Sequence, residues 1–490
     1  MSAEKAPVDY DVVIVGAGIS GINFAYRLQE NNPNLRYCIV DGRSEIGGTW
    51  SLFKYPGIRS DSDLFTFGFP WRPWTENSSF ADGHLIFKYL RESAAQYGID
   101  KKILFHHKVT SMEWSTRNKS WSLNISHNDQ SKRMTGRFVL LGTGYYDYEK
   151  PLESTIPGLQ DFEGITIHPQ FWPTDLDYKG KHVVVIGSGA TAITLLPNLA
   201  KEAAHTTMLQ RSPGYIVSIP GEDMFERAAK AILPVTLALR LIRFKWILIP
   251  FLMVSLCQWF PNLARKALSK ETRAQLPDDI PIDPHFKPNY NPFEQRMCMC
   301  PNGDFFECLR SGKASIATGH IDTVTKDTIK LKSGQELHPD IIVTATGLRL
   351  KVIGGINVSV DGESLDIGDK FTWKGTMLED LPNALYAFGY VDASWTLGAD
   401  ATAMMACRLL KEMQKRDTWM IVPRRSEEEK RSMKQVPFLY LKSTYVNSGK
   451  NVLPKAGDRP QWRPRSYYWK DMAMARFGDI RTGLEWIKGV

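Results

Sequence analysis

YDVVIVGAGISGINFAYRLQE, Tyr10 to Glu30, decides the fold. Val12 to Val15 are a continuous apolar run, the pattern of a parallel strand buried on both faces. The turn that follows carries Gly16, Gly18, Ser20 and Gly21, and then a helical segment puts Ala25 and Leu28 on one side. RYCIVDGR is the next strand and ends at Asp41. In this strand–turn–helix setting the glycines permit a tight turn and close approach to a pyrophosphate, and the helix N-terminus supplies N–H groups and a favourable dipole. Asp41 lies about twenty residues beyond the last glycine, where a carboxylate accepts from ribose hydroxyls.

The unit recurs. KHVVVIGSGATAITLLPNLAKE repeats strand, turn and helix, with Gly187, Ser188, Gly189, Ala190, Thr191 and Ala192 reading GxGxxA. The position matching Asp41 is Arg211, followed by Ser212. A guanidinium there suits a 2′-phosphate, so the second site is expected to prefer NADPH over NADH. The fold class is therefore α/β, with two Rossmann-like dinucleotide-binding domains. Two such sites point to one held redox cofactor and one delivered reductant. GGTW, Gly47 to Trp50, follows Asp41 closely, and Gly48, Thr49 and Trp50 are candidates to line a flavin. Val109, on a strand within FHHKVTSMEW, either offers backbone to an adenine or is a plain strand valine. Two further strands, RFVLLGTGYY and DIIVTATGLRL, run into glycines. Residues 221–283 read as a mostly helical insertion, TAMMACRLLKEMQKR as a helix, and the tail from Pro423 as a packed extension.

Composition narrows the function classes. A chain of 490 residues with 43% apolar and 23% charged content is expected to form two or three soluble domains. The net charge of +8 is scattered, which argues against a nucleic-acid partner. The cysteines, Cys38, Cys257, Cys298, Cys300, Cys308 and Cys407, give neither a disulfide framework nor a metal-ligand pattern, so reduced thiols in a cytoplasmic compartment and no metal are expected. MSAEKAPVDYDVVIVGAG runs from a polar lead straight into a strand without an apolar signal core, so export is not expected. Trp246 to Ala264 is uncharged but interrupted by Pro250, Gln258 and Pro261, and reads as a buried or membrane-surface helix rather than a span of about twenty apolar residues.

Three stretches remain. YPGIRSDSDLFTFGF clusters Arg59, Ser60, Asp61 and Asp63 after a Pro-Gly turn. NPFEQRMCMCPNGD places Arg296 among prolines and apolar residues. Alone, these are equally a solvated loop and a structural ion pair. FEGITIHPQFWP carries Phe162, Gly164, His168, Trp172 and Pro173 at the spacing FxGxxxHxxxW(P/D). With the two glycine units, GGTW, YPGIRSDSD and ATG, it resembles the type I Baeyer–Villiger monooxygenases among the class B flavoprotein monooxygenases. The resemblance covers nearly the whole chain and is greatest to the ethionamide-activating branch, to which ASWTL, Ala393 to Leu397, adds. Related N-oxygenating enzymes usually carry tyrosine in place of Trp172.

The resemblance implies an enzyme holding FAD and using NADPH and O2, in which a C4a-peroxyflavin converts a ketone to an ester or lactone, with sulfoxidation as a side activity. It implies catalytic roles for Arg296, which stabilises negative charge beside the flavin, and for Asp61, which positions that arginine and meets the FAD site. Arg59 and Ser60 are implied to meet NADPH. The fingerprint stretch is expected to be a hinge between an FAD unit and an NADPH unit. Many family members have Lys-Arg where this chain has Gln295-Arg296, which shifts more of the phosphate preference onto Arg211. The implied division is 1–150 for the first part of the FAD domain and 151–217 for the first part of the NADPH domain with its linker. The insertion is 218–290, the second part of the NADPH domain 291–350, and the rest of the FAD domain with the extension 351–490. The rival enzyme is a sulfur or nitrogen oxygenase sharing every cofactor motif. A disulfide reductase would want a CxxC pair near the first unit, where Cys38 stands alone. A binding protein that docks on membrane through 246–264 would bind cofactors without turnover.

Overall fold

The computed structural model describes residues 7–441, 446 and 449–488. The polar lead before Ala6 lies outside them. The first sheet is built on β1 (Tyr10–Val15), which lies between β2 (Tyr37–Val40) and β6 (Gln130–Leu141), parallel to both. Val12 faces Tyr37 on one side and Phe138 on the other. β3 (Ile103–Leu104) extends this sheet beyond β2, and β4 (Lys108–Ser115) and β5 (Ser120–His127) form a meander onto β6. Buried and exposed residues alternate along much of β4, as one covered face requires, whereas the last four residues of β1 are all buried.

The second sheet is wholly parallel. Its order is β10 (Ala314–Thr318), β9 (His205–Gln210), β8 (His182–Ile186), β11 (Ile341–Thr344) and β7 (Ile165–Ile167). The chain then returns to the first sheet. β12 (Asn357–Val360) pairs with β4, β13 (Glu363–Leu365) with β12, and β14 (Ala384–Tyr386) with β6. Two Rossmann-like sheets, the first assembled from both ends of the chain, are thus the architecture that the repeated glycine units predict.

Helix α1 (Ile19–Asn31) covers the first sheet and packs on α6 (Trp395–Lys415), which begins seven residues before the helix read from sequence. The contact is closed by a buried ion pair. Arg27 donates from Nε to Asp400 Oδ1 at 2.8 Å and from Nη2 to Oδ2 at 3.1 Å, and the Asp400 side chain is 1% exposed. Helix α2 (Ala190–Leu199) covers the second sheet.

The insertion is helical, as expected: α3 (Met224–Ile232), α4 (Val235–Trp259) and α5 (Pro261–Gln275). Ala238, Leu239 and Ile242 of α4 join the core that holds Leu64, Phe65 and Phe67. Arg243 donates to the Phe65 and Gly68 carbonyls, and the buried Glu226 accepts from Lys245 and from Trp246 Nε1. The reading of 246–264 as a single apolar segment is corrected in two ways. The helix that holds its first part, α4, starts at Val235 and includes Arg240, Arg243 and Lys245, and its last part, from Pro261, belongs to α5. No helix among the described residues is long and apolar enough to cross a membrane. The C-terminal extension is packed: its strand Leu484–Lys488 pairs with Thr418–Pro423, and Trp462 is fully buried. All six cysteines are free and buried.

The Arg27 ion pair generates a test. Asp400→Ala leaves a buried guanidinium without its carboxylate and is expected to cost about 3–5 kcal/mol of unfolding free energy. Glu30→Ala removes the exposed partner of the same arginine and is expected to cost no more than about 1 kcal/mol. Urea unfolding of both variants measures the contrast.

Candidate functional site

The first glycine turn sits at the carboxyl end of β1. Gly16 has a φ of +104°, and a β-carbon there would lie 2.6 Å from the Gly142 carbonyl oxygen, so the strand ends β1 and β6 meet backbone to backbone. Gly18 caps α1 without a side-chain hydrogen bond, which leaves the first N–H groups of the helix to a ligand, and Gly21 lies within that first turn. Ser20 is buried and accepts from Trp395 Nε1 at 2.8 Å. Asp41 accepts from the N–H groups of Ala17 and Arg43 at 2.7 and 2.8 Å, and each oxygen keeps a lone pair for a ribose hydroxyl. Gly48 approaches Gly18, Thr49 shares a 3.0 Å hydrogen bond with Tyr148, and Trp50 packs edge-on to Phe67. Val109 is buried in β4 within the core of the first sheet. A bare, glycine-walled helix terminus with a fixed carboxylate beside it fits a dinucleotide such as FAD.

The second turn has the same form. Gly187 is tight against the Ala345 carbonyl, and a β-carbon on Gly189, the cap of α2, would meet nothing within 4 Å. That open cradle fits a second pyrophosphate at the N-terminus of a ten-residue helix. Ala190 and Thr191 open the helix, Ala192 is buried, and Thr191 lies beside Tyr55. β9 ends at Gln210, one residue earlier than read from sequence, so Arg211 and Ser212 are exposed on the loop. Ser188 Oγ donates to the Ser212 carbonyl at 3.1 Å, which brings this loop to the glycine turn.

The Tyr55–Asp63 segment crosses from the first unit to the second. Gly57 has a φ of +74°, and a β-carbon there would overlap the amide of Asn198 on α2. Arg59 makes a two-pronged ion pair with Asp304, through Nη1 to Oδ2 and through Nη2 to Oδ1 at 3.1 Å. The guanidinium expected to meet NADPH is thus committed to a carboxylate of the second unit. Ser60 is buried, and its hydroxyl donates to the Ser62 carbonyl at 2.6 Å. Asp61 Oδ2 lies 3.5 Å from Arg296 Nε. The sequence separates these two by more than two hundred residues, and the fold brings them together.

Asp61 and Arg296 stand at one side of a cleft of about 1090 Å³ measured to its open mouth. Trp246, Pro250 and Phe251 of α4 wall it, with Tyr467 and Trp469 from the C-terminal extension. Phe251 meets the Tyr467 and Trp469 rings edge-on at 4.9 and 4.4 Å. Ser394 and Leu397 also line it, and Trp395 between them bonds to Ser20 beside the first glycine turn. The cleft and the first nucleotide cradle therefore share a wall.

The fingerprint stretch is not a bare linker. Ile165–Ile167 is β7, the edge strand of the second sheet, and Gly164 lies against the Asp340 carbonyl. Phe162 packs under that sheet, Trp172 is buried with its ring edge-on to Tyr178 at 6.4 Å, and Pro173 is exposed. His168 Nδ1 accepts from the Gln170 N–H at 3.2 Å, and Gln170 donates onward to the Asp147 carbonyl at 2.7 Å, which ties the strand back to the end of the first sheet. Nε2 is buried without a well-aligned partner. The Gly347 backbone favours the protonated imidazole, but burial is the larger effect and lowers the pKa, so His168 is neutral at pH 7.

Residues 10–271 match the flavin-binding monooxygenase-like family. The chain is 45% identical over 482 residues to the FAD-containing monooxygenase EthA of Mycobacterium tuberculosis (strain ATCC 25618 / H37Rv), covering 98% of both chains. It is 43% identical over 474 residues to the probable FAD-binding monooxygenase AlmA of Acinetobacter baylyi, covering 96% of this chain and 95% of that one. Its fold is similar to that of oxidized steroid monooxygenase bound to NADP, with a TM-score of 0.75 at 20% identity over 98% of this chain and 100% of that chain. It is also similar to cyclohexanone monooxygenase bound to ε-caprolactone, with a TM-score of 0.74 at 18% identity over 97% and 99%.

One cleft residue carries a pH signature. Asp63 caps the short helix Leu64–Phe67, accepting from the Thr66 N–H at 2.7 Å and from the Thr66 hydroxyl, which in turn reaches Ser394 Oγ at 2.6 Å. Burial pushes its carboxyl up from an ordinary 3.8 to about 7, against the Thr66 hydrogen bonds that lower it. Between those values the folded state holds a proton that the unfolded chain has lost, so this group's stability contribution is present in acid and fades as pH rises through about 7. Asp63→Asn is expected to flatten that decline. Thermal melts of both proteins between about pH 5 and about pH 8 check it, and parallel slopes would remove Asp63 as the source.

Proposed function

The chain belongs to the flavin-binding monooxygenase-like family, and we propose that it is an FAD- and NADPH-dependent Baeyer–Villiger monooxygenase that converts ketones to esters or lactones and oxidises sulfides as a side activity. The observation that carries the reading is the Arg296–Asp61 pair at one side of an apolar cleft that shares a wall with the first nucleotide cradle. We assign the first cradle, with residues 1–150 and 351–490, to FAD. The second, with 151–217 and 291–350, takes NADPH, and the insertion 218–290 shapes the cleft. FAD, reduced by NADPH, supplies activated oxygen from O2, one atom of which enters the substrate while the other leaves as water.

The chain's own residues account for the rest. A ketone under attack develops negative charge on its carbonyl oxygen, and a fixed cation next to it stabilises that charge strongly where water is excluded. Arg296 is that cation. Asp61 on its Nε side limits the guanidinium's orientations and balances its charge. The aromatic walls from α4 and the C-terminal extension exclude water and favour apolar substrates. Arg211, on the loop bonded to the second glycine turn, is positioned for a 2′-phosphate. With Arg59 paired to Asp304, we assign the reading of that phosphate to Arg211 and the joining of the two units to Arg59.

Two variants test the reading. Arg296→Ala is expected to keep bound FAD and NADPH oxidation but to form no ester from a ketone panel, by mass spectrometry with 18O2. Labelled sulfoxide without ester from the unaltered protein would assign it to heteroatom oxygenation instead. Arg211→Ala is expected to raise KM for NADPH by about tenfold or more, the loss of a charge-assisted hydrogen bond, with little change for NADH. Equal changes for the two nucleotides would remove Arg211 from phosphate recognition.

A further inference from the structure

Helix α4 has two apolar sides, and the cleft uses only one. On the other, Leu237, Leu241, Phe244, Leu252, Leu256 and Trp259 recur at helical spacing and are 40–71% exposed. Ile232 at the end of α3 and Phe260 and Leu263 at the start of α5 continue the face, and they too are more than half exposed. A contiguous apolar patch of this length on a soluble chain calls for a partner.

Charge identifies the partner. Arg240, Lys266 and Lys270 are exposed on these helices, while the exposed Arg227 lies 3.9 Å from Glu222 just before α3. The two acids of those helices are Glu226, which is buried and paired with Lys245, and Glu271. The helices that carry the apolar strip therefore carry an excess of exposed cations. A two-fold pairing with a second copy would set these cations against one another. An anionic lipid surface matches both parts: headgroups meet the cations, while Phe244, Trp259 and Phe260 suit the level between headgroup and acyl chain.

The face is continuous with the cleft mouth. Phe251, next to Leu252 in sequence, lines the cleft and packs on Tyr467 and Trp469, which are themselves partly exposed at 39% and 40%. We propose that α3, α4 and α5 form a docking surface for an anionic phospholipid bilayer, which holds the cleft mouth against the lipid. The docking is independent of which substrate the cleft oxidises, so its test uses binding rather than turnover.

The test is co-sedimentation of the full-length FAD-loaded protein with vesicles of phosphatidylcholine alone and of phosphatidylcholine mixed with phosphatidylglycerol. Binding to the mixed vesicles is expected to be about tenfold tighter or more. Leu252→Asp is expected to weaken it by about tenfold while leaving NADPH oxidation unchanged, because Leu252 lies outside the cleft lining. Lys266→Glu with Lys270→Glu is expected to abolish the preference for phosphatidylglycerol. Absence of the protein from both vesicle pellets overturns the proposal. If light scattering then finds a dimer that Leu252→Asp dissociates, the face belongs to a second copy of the chain.

Discussion

The close approach of Gly57 to Asn198 is the constraint on which the rest of the site depends. A side chain at Gly57 would strain its φ of +74° and drive the Asn198 amide from its bond to the Thr194 carbonyl, in the segment that carries Asp61 across to Arg296. The Arg59–Asp304 pair fixes the same crossing a few residues later, on the helix Asp304–Arg310 of the second unit. Two nucleotide cradles on separate sheets are of no use to each other unless their ligands meet at a fixed distance. Here the crossing between the two units is held by one glycine contact and one bidentate ion pair.

This arrangement explains why the sequence was legible in parts. β1, β2 and the two glycine turns follow from continuous apolar runs that end in small residues, a local pattern that any window of the chain reveals. The helical insertion follows in the same way. The Arg59–Asp304 pair went unread for a physical reason: the two are more than two hundred residues apart, and no local spacing records it. Tyr148 beside Thr49 and Trp395 beside Ser20 went unread on the same ground. Asp61 and Arg296 were paired only through resemblance to a family, because each alone fits a surface loop. The fingerprint stretch reads as a hinge from its place between the two units, and its three-residue strand goes unread because its neighbour, β11, lies far along the chain.

The cleft shows how the polar groups are kept from opposing the apolar walls. Asp63 and Thr66 turn their hydrogen bonds on each other and on Ser394, so a buried carboxyl is tolerated beside aromatic rings. Burying an ionised group without a partner costs several kcal/mol, and the raised pKa of Asp63 is the cheaper outcome. Asp61 is treated differently. It is partly exposed and faces a guanidinium, so it is the carboxylate suited to hold a cation in place. Two aspartates two residues apart thus serve opposite ends: one caps a helix start from a buried site, the other faces the cleft guanidinium.

The insertion makes the same division across a single helix. Trp246, Pro250, Phe251 and Val254 turn toward the cleft, while Leu252, Leu256 and Trp259 turn away from it. A helix apolar on one side would be enough to wall the cleft. A second apolar side left in water favours association, since full burial of an exposed side chain of that size is worth at most about 1.5–3 kcal/mol. Sequence hydropathy merges the two sides into one apolar stretch, which is why 246–264 read as a single unit. The three-dimensional structure separates them, and gives one side to the cleft and the other to the surface of the molecule.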